Sequence, residues 1–254
     1  RFPEKKVYWL KNGVDINFYD VNKTIEENAW RKEHNYSSGD FILFYGGIIG
    51  HAQGLDVILN AAKELENYEN IKFVLLGNGP EKERLQKLKA ELGLNNLQFF
   101  DAVPKSQMQK IIMDTNASII PLKRLDLFKG AIPSKIFENL ALKKPIILGV
   151  EGEAEELFIQ QGKCGVSFTP EDSEDLAKQI LHLYNNPDLV KELGENGLAY
   201  VSENFNRDKI AEEKAIPIIK QEIEVVMLKA VENFYYLIMG HTVAKMCCEE
   251  CRNL

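Results

Sequence analysis

Apolar runs of strand length alternate with stretches of helical period along most of the chain. This rhythm constrains the fold more than any single motif. The runs are FILFYG (41–46), IKFVLLG (71–77), NLQFFD (96–101), ASIIP (117–121), KPIILG (144–149) and GVSF (165–168). They are near-continuous in apolar residues rather than alternating, as in strands buried on both faces. Between the first two, Leu55, Ile58, Leu59, Ala62 and Leu65 fall on one face of a helix starting at Gln53. Further helices are expected over Glu81–Leu92, with Pro80 in its first turn, and over Lys105–Asp114, Ser134–Leu142 and Glu153–Gln161. The stretch from Ser173 to Tyr200 also reads as helical, with Ser173 as N-cap and Glu174 and Asp175 in the first turn. Alternation of this length implies right-handed crossovers and a Rossmann-like parallel sheet with helices on both faces, an α/β fold.

The flanks differ in character. Residues 1–20 read as a strand (Lys6–Leu10), an NGVD turn and a linker, and the α/β domain occupies 21–222, with a short helix in its polar opening. The opening RFPEKKVYWL, without an initiator Met, leads to the expectation of a fragment preceded by another domain. The segment 223–254, VVMLKAVENFYYLIM and then CCEEC, reads as a helical tail. It is open to docking on the same domain, covering a partner domain, lying in a membrane interface, or being a non-native extension. Cys247, Cys248 and Cys251 crowd into the last eight residues, so no disulfide framework spans the fold. A reducing, cytoplasmic setting is expected. The Cys248–Cys251 pair has no second pair and only His241 nearby, so no metal is expected. A net charge of -7 argues against a nucleic-acid partner. No apolar run reaches the length of about 18 residues that a membrane-spanning helix needs.

In an open α/β sheet, ligands bind beyond the carboxyl ends of the strands. After the first strand come Gly46, Gly47, Ile48, Ile49, Gly50, His51, Ala52, Gln53 and Gly54. This loop is either a tight strand–helix turn or an anion cradle of bare amides. It is neither G-x-G-x-x-G nor a P-loop. Gly77, Asn78 and Gly79 after the second strand form a plain connection or a backbone contact for a base or sugar. After the fourth strand, Gly130, Ala131, Ile132, Pro133 and Ser134 form a loop, and Ser134 is placed to cap the next helix. Lys135 sits in that helix's first turn, where a cation opposes the dipole unless an anion is bound. Glu138 lies on the same face as Ser134, and a carboxylate accepts two hydroxyl hydrogen bonds, the offer of a ribose diol.

Taken in order, NGVD, YGGIIGHAQGLDVIL, FVLLGNGPEKERL, IPSKIFENLALKKPIIL, GEAEEL and GVSFTPED resemble the C-terminal half of a GT-B glycosyltransferase. The group they resemble is family 4, of the type that builds bacterial surface polysaccharides. The resemblance covers about residues 8 to 215. It implies a nucleotide-sugar (donor) domain facing an N-terminal acceptor domain across a cleft. It also implies retaining, metal-independent transfer to a saccharide or lipid-linked acceptor. Glu138 then holds the ribose, and Lys135 with amides at Gly47–Gly50 and near Ser134 meets the diphosphate. The base lies between the Gly77–Gly79 turn and FFDAVP, with Val103 offering backbone groups and Phe100 an apolar wall. The family's first carboxylate is replaced by Gly130, and its Arg and Lys of the glycine loop by Gly47 and Gln53. These departures point to a subgroup using UDP-activated N-acetylated amino sugars, fucosamine-type transferases among them. His51 is a further donor contact, and Lys123, Arg124 and Lys129 would add positive potential. The rivals are a UDP-sugar 2-epimerase sharing the same half and a nucleotide-sugar-binding module without catalysis. A dehydrogenase domain would need the missing G-x-G-x-x-G.

Overall fold

The computed structural model describes residues 10–20, 28–224 and 227. Two compact units divide the chain, Asn12–Arg207 and the remainder. In the first, strands β1 (Phe41–Gly46), β2 (Ile71–Leu76), β3 (Leu97–Phe100), β4 (Ala117–Pro121), β5 (Ile146–Gly149) and β6 (Gly165–Ser167) form one sheet in the order β3-β2-β1-β4-β5-β6. Every pairing is parallel. This is the Rossmann-like α/β fold expected from the rhythm of the sequence.

Near-continuous apolar strands are needed because the sheet carries a core on each face. Along β1, Phe41, Leu43 and Tyr45 enter one core while Ile42 and Phe44 enter the other. The first core is closed by α2 (Asp56–Glu64), α3 (Lys82–Leu92) and α7 (Ser173–Tyr184). The second is closed by α4 (Lys105–Met113), α5 (Lys135–Ala141) and the stretch from α6 (Glu153–Glu155) through a π-helical turn, Glu156–Gln161. A short α1 (Ala29–Glu33) and α8 (Pro187–Asn204) complete the unit. Cys164 is enclosed there, and burial pushes its thiol up to about 12, which leaves it unreactive.

Local signals moved several helix ends. The helix after β1 begins at Asp56, because Gly54 adopts φ 57 after a 3-10 turn at His51–Gln53. Pro80 stays in the turn ahead of α3, whose N-cap is Glu81. Asp172, not Ser173, caps α7, accepting the Asp175 N–H at 2.9 Å. The Ser173 hydroxyl instead donates to Glu64 at 2.7 Å. The stretch expected as one helix breaks at Asn185–Asn186, and Pro187 opens α8.

At the amino ends of the strands a buried polar network ties α1 to the sheet. Arg31 donates from Nε to the Asp114 carbonyl at 2.6 Å, and from its terminal nitrogens to Ser37 O, Asp40 O and Asn116 Oδ1. The Asp114 carboxylate accepts the N–H groups of Asn28 and Trp30, and Lys144 donates to Met113 O at 2.7 Å.

In the other unit the described residues 208–224 are helical, through α9 (Arg207–Ile210) and a π-helical turn at Ala211–Ala215. Ile216, Ile219 and Ile223 are exposed on it. Most of the expected opening strand, Lys6–Leu10, and the tail with Cys247, Cys248, Cys251 and His241 lie outside the described residues.

Candidate functional site

Strand order reverses at β1, whose neighbours are β2 and β4. The chain leaving β1 and the chain leaving β4 diverge there and open a crevice at the carboxyl rim. A cavity of about 280 Å³ occupies it. Of the expected residues, Gly46, Gly47, Gln53, Ser134, Lys135 and Glu138 line this cavity, with Met108 and Ile112 contributed by α4.

The two glycine loops are bound to each other. The N–H of Gly47 donates to Leu76 O at 2.9 Å and that of Ile49 to Asn78 O at 3.0 Å, while Glu81 N–H returns to Ile49 O at 3.1 Å. A Cβ at Gly77 or Gly79 would collide with the carbonyls of Gly47 and Ile49, so these glycines let the loops touch. Two of the four amides expected to cradle an anion are therefore spent. Among the described residues, the amides of Ile48 and Gly50 keep no backbone acceptor. Lys82, which the sequence reading passed over, locks the arrangement. Its ammonium donates to Gly77 O, Asn78 Oδ1, Phe100 O and Asp101 Oδ1 at 2.7–3.2 Å.

Lys135 and Glu138 face the cavity from α5. The Lys135 ammonium sits 3.9 Å from the centre of the Tyr45 ring and would be 3.0 Å from a Cβ at Gly47. Among the described residues no carboxylate lies within salt-bridge distance of it. Burial lowers its pKa to about 8, against the opposing pull of Glu138. Tyr45 also donates its hydroxyl to Ile48 O at 2.5 Å, so one side chain supports both the loop and the ammonium. Glu138 has the Lys105 ammonium at 4.0 Å. Ser134 occupies the N-cap position of α5 without a side-chain cap. Ile136 and Phe137 donate to the Pro133 and Ser134 carbonyls, and the Ser134 and Lys135 amides have no backbone acceptor among the described residues.

The remaining expected residues lie apart from this cavity. His51 Nδ1 pairs with Glu81 at 3.0 Å, and Glu81 with Arg84 at 2.7 Å. Gly130, Ala131, Ile132 and Pro133 form the approach to α5, and a side chain at Gly130 would meet nothing within 4 Å. Arg124 is paired with Glu151 and Lys129 with Asp126, which dilutes the expected positive potential. Phe100 and Val103 line a second cavity of about 540 Å³ with Trp30, His34 and Lys110. There the Phe100 ring meets the rings of Trp30 and His34 at 5.4 and 5.0 Å, so it faces α1 rather than the first cavity. Among the described residues, no group of three or more His, Cys, Asp or Glu is placed to hold a metal, and no helix is long and apolar enough to cross a membrane.

The family model for glycosyl transferases group 1 matches residues 26–199, most of the chain. The chain belongs to this family. Among its relatives, an uncharacterized glycosyltransferase of Methanocaldococcus jannaschii, MJ1178, is 26% identical over 203 residues, covering 79% of this chain and 54% of that protein. The putative colanic acid biosynthesis glycosyl transferase WcaI of Escherichia coli is 26% identical over 199 residues, covering 76% and 48%. The chain thus spans about half the length of the curated relatives it matches. The crystal structure of Anabaena HepE in complex with UDP and glucose superposes with a TM-score of 0.67 at 20% identity, over 82% of this chain and 55% of that one. This glycosyltransferase domain therefore shares the GT-B half-fold as well as the family's sequence pattern.

Proposed function

We propose that the domain is the donor half of a retaining, metal-independent glycosyltransferase. It takes a UDP-activated N-acetylated amino sugar and passes the sugar to a saccharide or lipid-linked acceptor in surface polysaccharide synthesis. The observation that carries this reading is Lys135, a largely enclosed ammonium with no carboxylate at salt-bridge distance among the described residues, beside Glu138 in the switch-point cavity. An unpaired buried cation is costly, and a diphosphate supplies the missing charge. The free amides of Ile48, Gly50 and Ser134 add neutral donors, and Glu138 is placed for the ribose diol. In transfer, the bond from the anomeric carbon to the diphosphate breaks and negative charge grows on the leaving group. Donors already fixed in place stabilise that charge without reorganising. The UDP complex of HepE and the colanic acid role in the name of WcaI support the donor and the pathway class. In this reading a second domain holds the acceptor, and the chain alone binds donor without sustained turnover.

Titration calorimetry with UDP tests the reading. The folded chain binds UDP, and Glu138→Ala weakens binding about tenfold while leaving pyrophosphate affinity unchanged. A folded chain that shows no heat with UDP contradicts it.

A further inference from the structure

Lys135 is held at both ends. Its carbonyl accepts the Asn139 side-chain amide at 2.8 Å, and the Asn139 side-chain oxygen accepts the Ser118 hydroxyl, so α5 is pinned to β4 beside the cavity. Its ammonium lies 3.9 Å from the centre of the Tyr45 ring on β1. Tyr45 is 1% exposed, so the core around it fixes that ring. A lysine ammonium rides on a flexible stem, and a contact of this kind gives it one place to sit.

Gly47 completes the seat. A Cβ there would stand 3.0 Å from Lys135 Nζ and 3.4 Å from its Cε, so a side chain at this position would crowd the ammonium. The Tyr45 hydroxyl, 4.0 Å from the same Cβ position, donates to Ile48 O at 2.5 Å. One side chain thus touches both the cation and the glycine loop. On that loop the Ile48 and Gly50 amides have no backbone acceptor among the described residues. An electron-rich ring face offsets part of the cost of a buried cation without neutralising it. A carboxylate in its place would hold the ammonium more tightly and cancel its charge. The ring holds it and leaves the charge for a ligand.

We propose that Tyr45 is a positioning residue for anion binding: its ring parks the Lys135 ammonium and its hydroxyl fixes the Ile48 carbonyl, so that a diphosphate meets the cation and the glycine-loop amides as one preset receptor. The proposal rests on the reading that the cavity takes a diphosphate, and adds to it the source of the site's preorganisation. An ammonium ordered before the ligand arrives removes an ordering cost from binding.

Calorimetric titration of inorganic pyrophosphate into the whole chain tests this, because the proposal concerns the charge and not the base or the sugar. Tyr45→Phe keeps the ring and loses the hydroxyl, while Tyr45→Leu loses both. Each is made alone and together with Lys135→Met, and a thermal melt confirms folding. Tyr45→Phe weakens binding about threefold and Tyr45→Leu about tenfold. With Lys135→Met in place the two changes weaken binding equally, since the ring has no ammonium left to hold. Equal affinities of Tyr45→Leu and Tyr45→Phe in the otherwise native chain overturn the proposal. So does an extra loss from leucine that is the same with and without Lys135, which marks a packing role. Should Tyr45→Leu fail to fold, Tyr45→Phe carries the test, and an unchanged affinity there overturns the single receptor. A wild-type chain that binds UDP but not pyrophosphate overturns the proposal and leaves the donor reading standing. A chain that binds neither removes both.

Discussion

The two rims of the sheet treat buried charge in opposite ways. At the amino rim, Arg31 finds four oxygen acceptors, Asp114 accepts main-chain N–H groups, and Lys144 reaches a carbonyl. At the carboxyl rim, among the described residues, Lys135 has an aromatic face and no carboxylate at salt-bridge distance, Tyr19 carries an unpaired hydroxyl, and the Ile48 and Gly50 amides lack backbone acceptors. In the proposed reading, the Arg31 network at one end is satisfied by the chain itself, while the groups around Lys135 at the other are arranged for a bound donor.

The largest expected effect is at the amino rim. Asp114→Ala removes the carboxylate that accepts the Asn28 and Trp30 N–H groups, leaves those donors unpaired, and costs about 2–4 kcal/mol of stability. Urea unfolding measures this, and a loss below about 1 kcal/mol would break the comparison. Lys135→Met has the opposite sign. It removes an unsatisfied charge, so the fold gains about 1–2 kcal/mol at neutral pH while UDP affinity falls at least about tenfold. A thermal melt and a UDP titration on the same sample check both halves.

The pH dependence sharpens the contrast. Burial lowers both Lys135 and Lys144 to about 8. Between there and the ordinary lysine range, the unfolded chain holds protons that the native chain has shed, so stability rises with pH in that window. Each of Lys135→Met and Lys144→Met removes part of the rise. Only Lys135 should matter to the ligand: UDP affinity is steady below pH of about 8 and falls above it in wild type and Lys144→Met alike. The smallest effect is at His51, exposed and paired with Glu81. His51→Ala changes UDP affinity less than about twofold.

Much of this was legible in the residues. The six strands follow from apolar runs, and Lys135 stood out because a cation in a first helical turn is locally unfavourable. What was not legible came from long-range contact. Tyr45 and Lys105 reach α5 from distant segments, and nothing in their own neighbourhoods marks them. The spending of the Gly47 and Ile49 amides depends on how the loop after β2 docks, which spacing does not reveal. The N-cap of α7 was placed one residue late because Asp172 and Ser173 are both good caps, and only the Asp175 N–H distinguishes them. Phe100 turned toward α1 because Trp30 and His34 supply an aromatic surface that no local pattern predicts.

A crystal of the chain soaked in UDP tests the central claim most directly. The account predicts the diphosphate within hydrogen-bond distance of Lys135 Nζ and the ribose diol on the Glu138 carboxylate. A nucleotide lodged instead between α1 and α4, against Trp30 and Lys110, would contradict it.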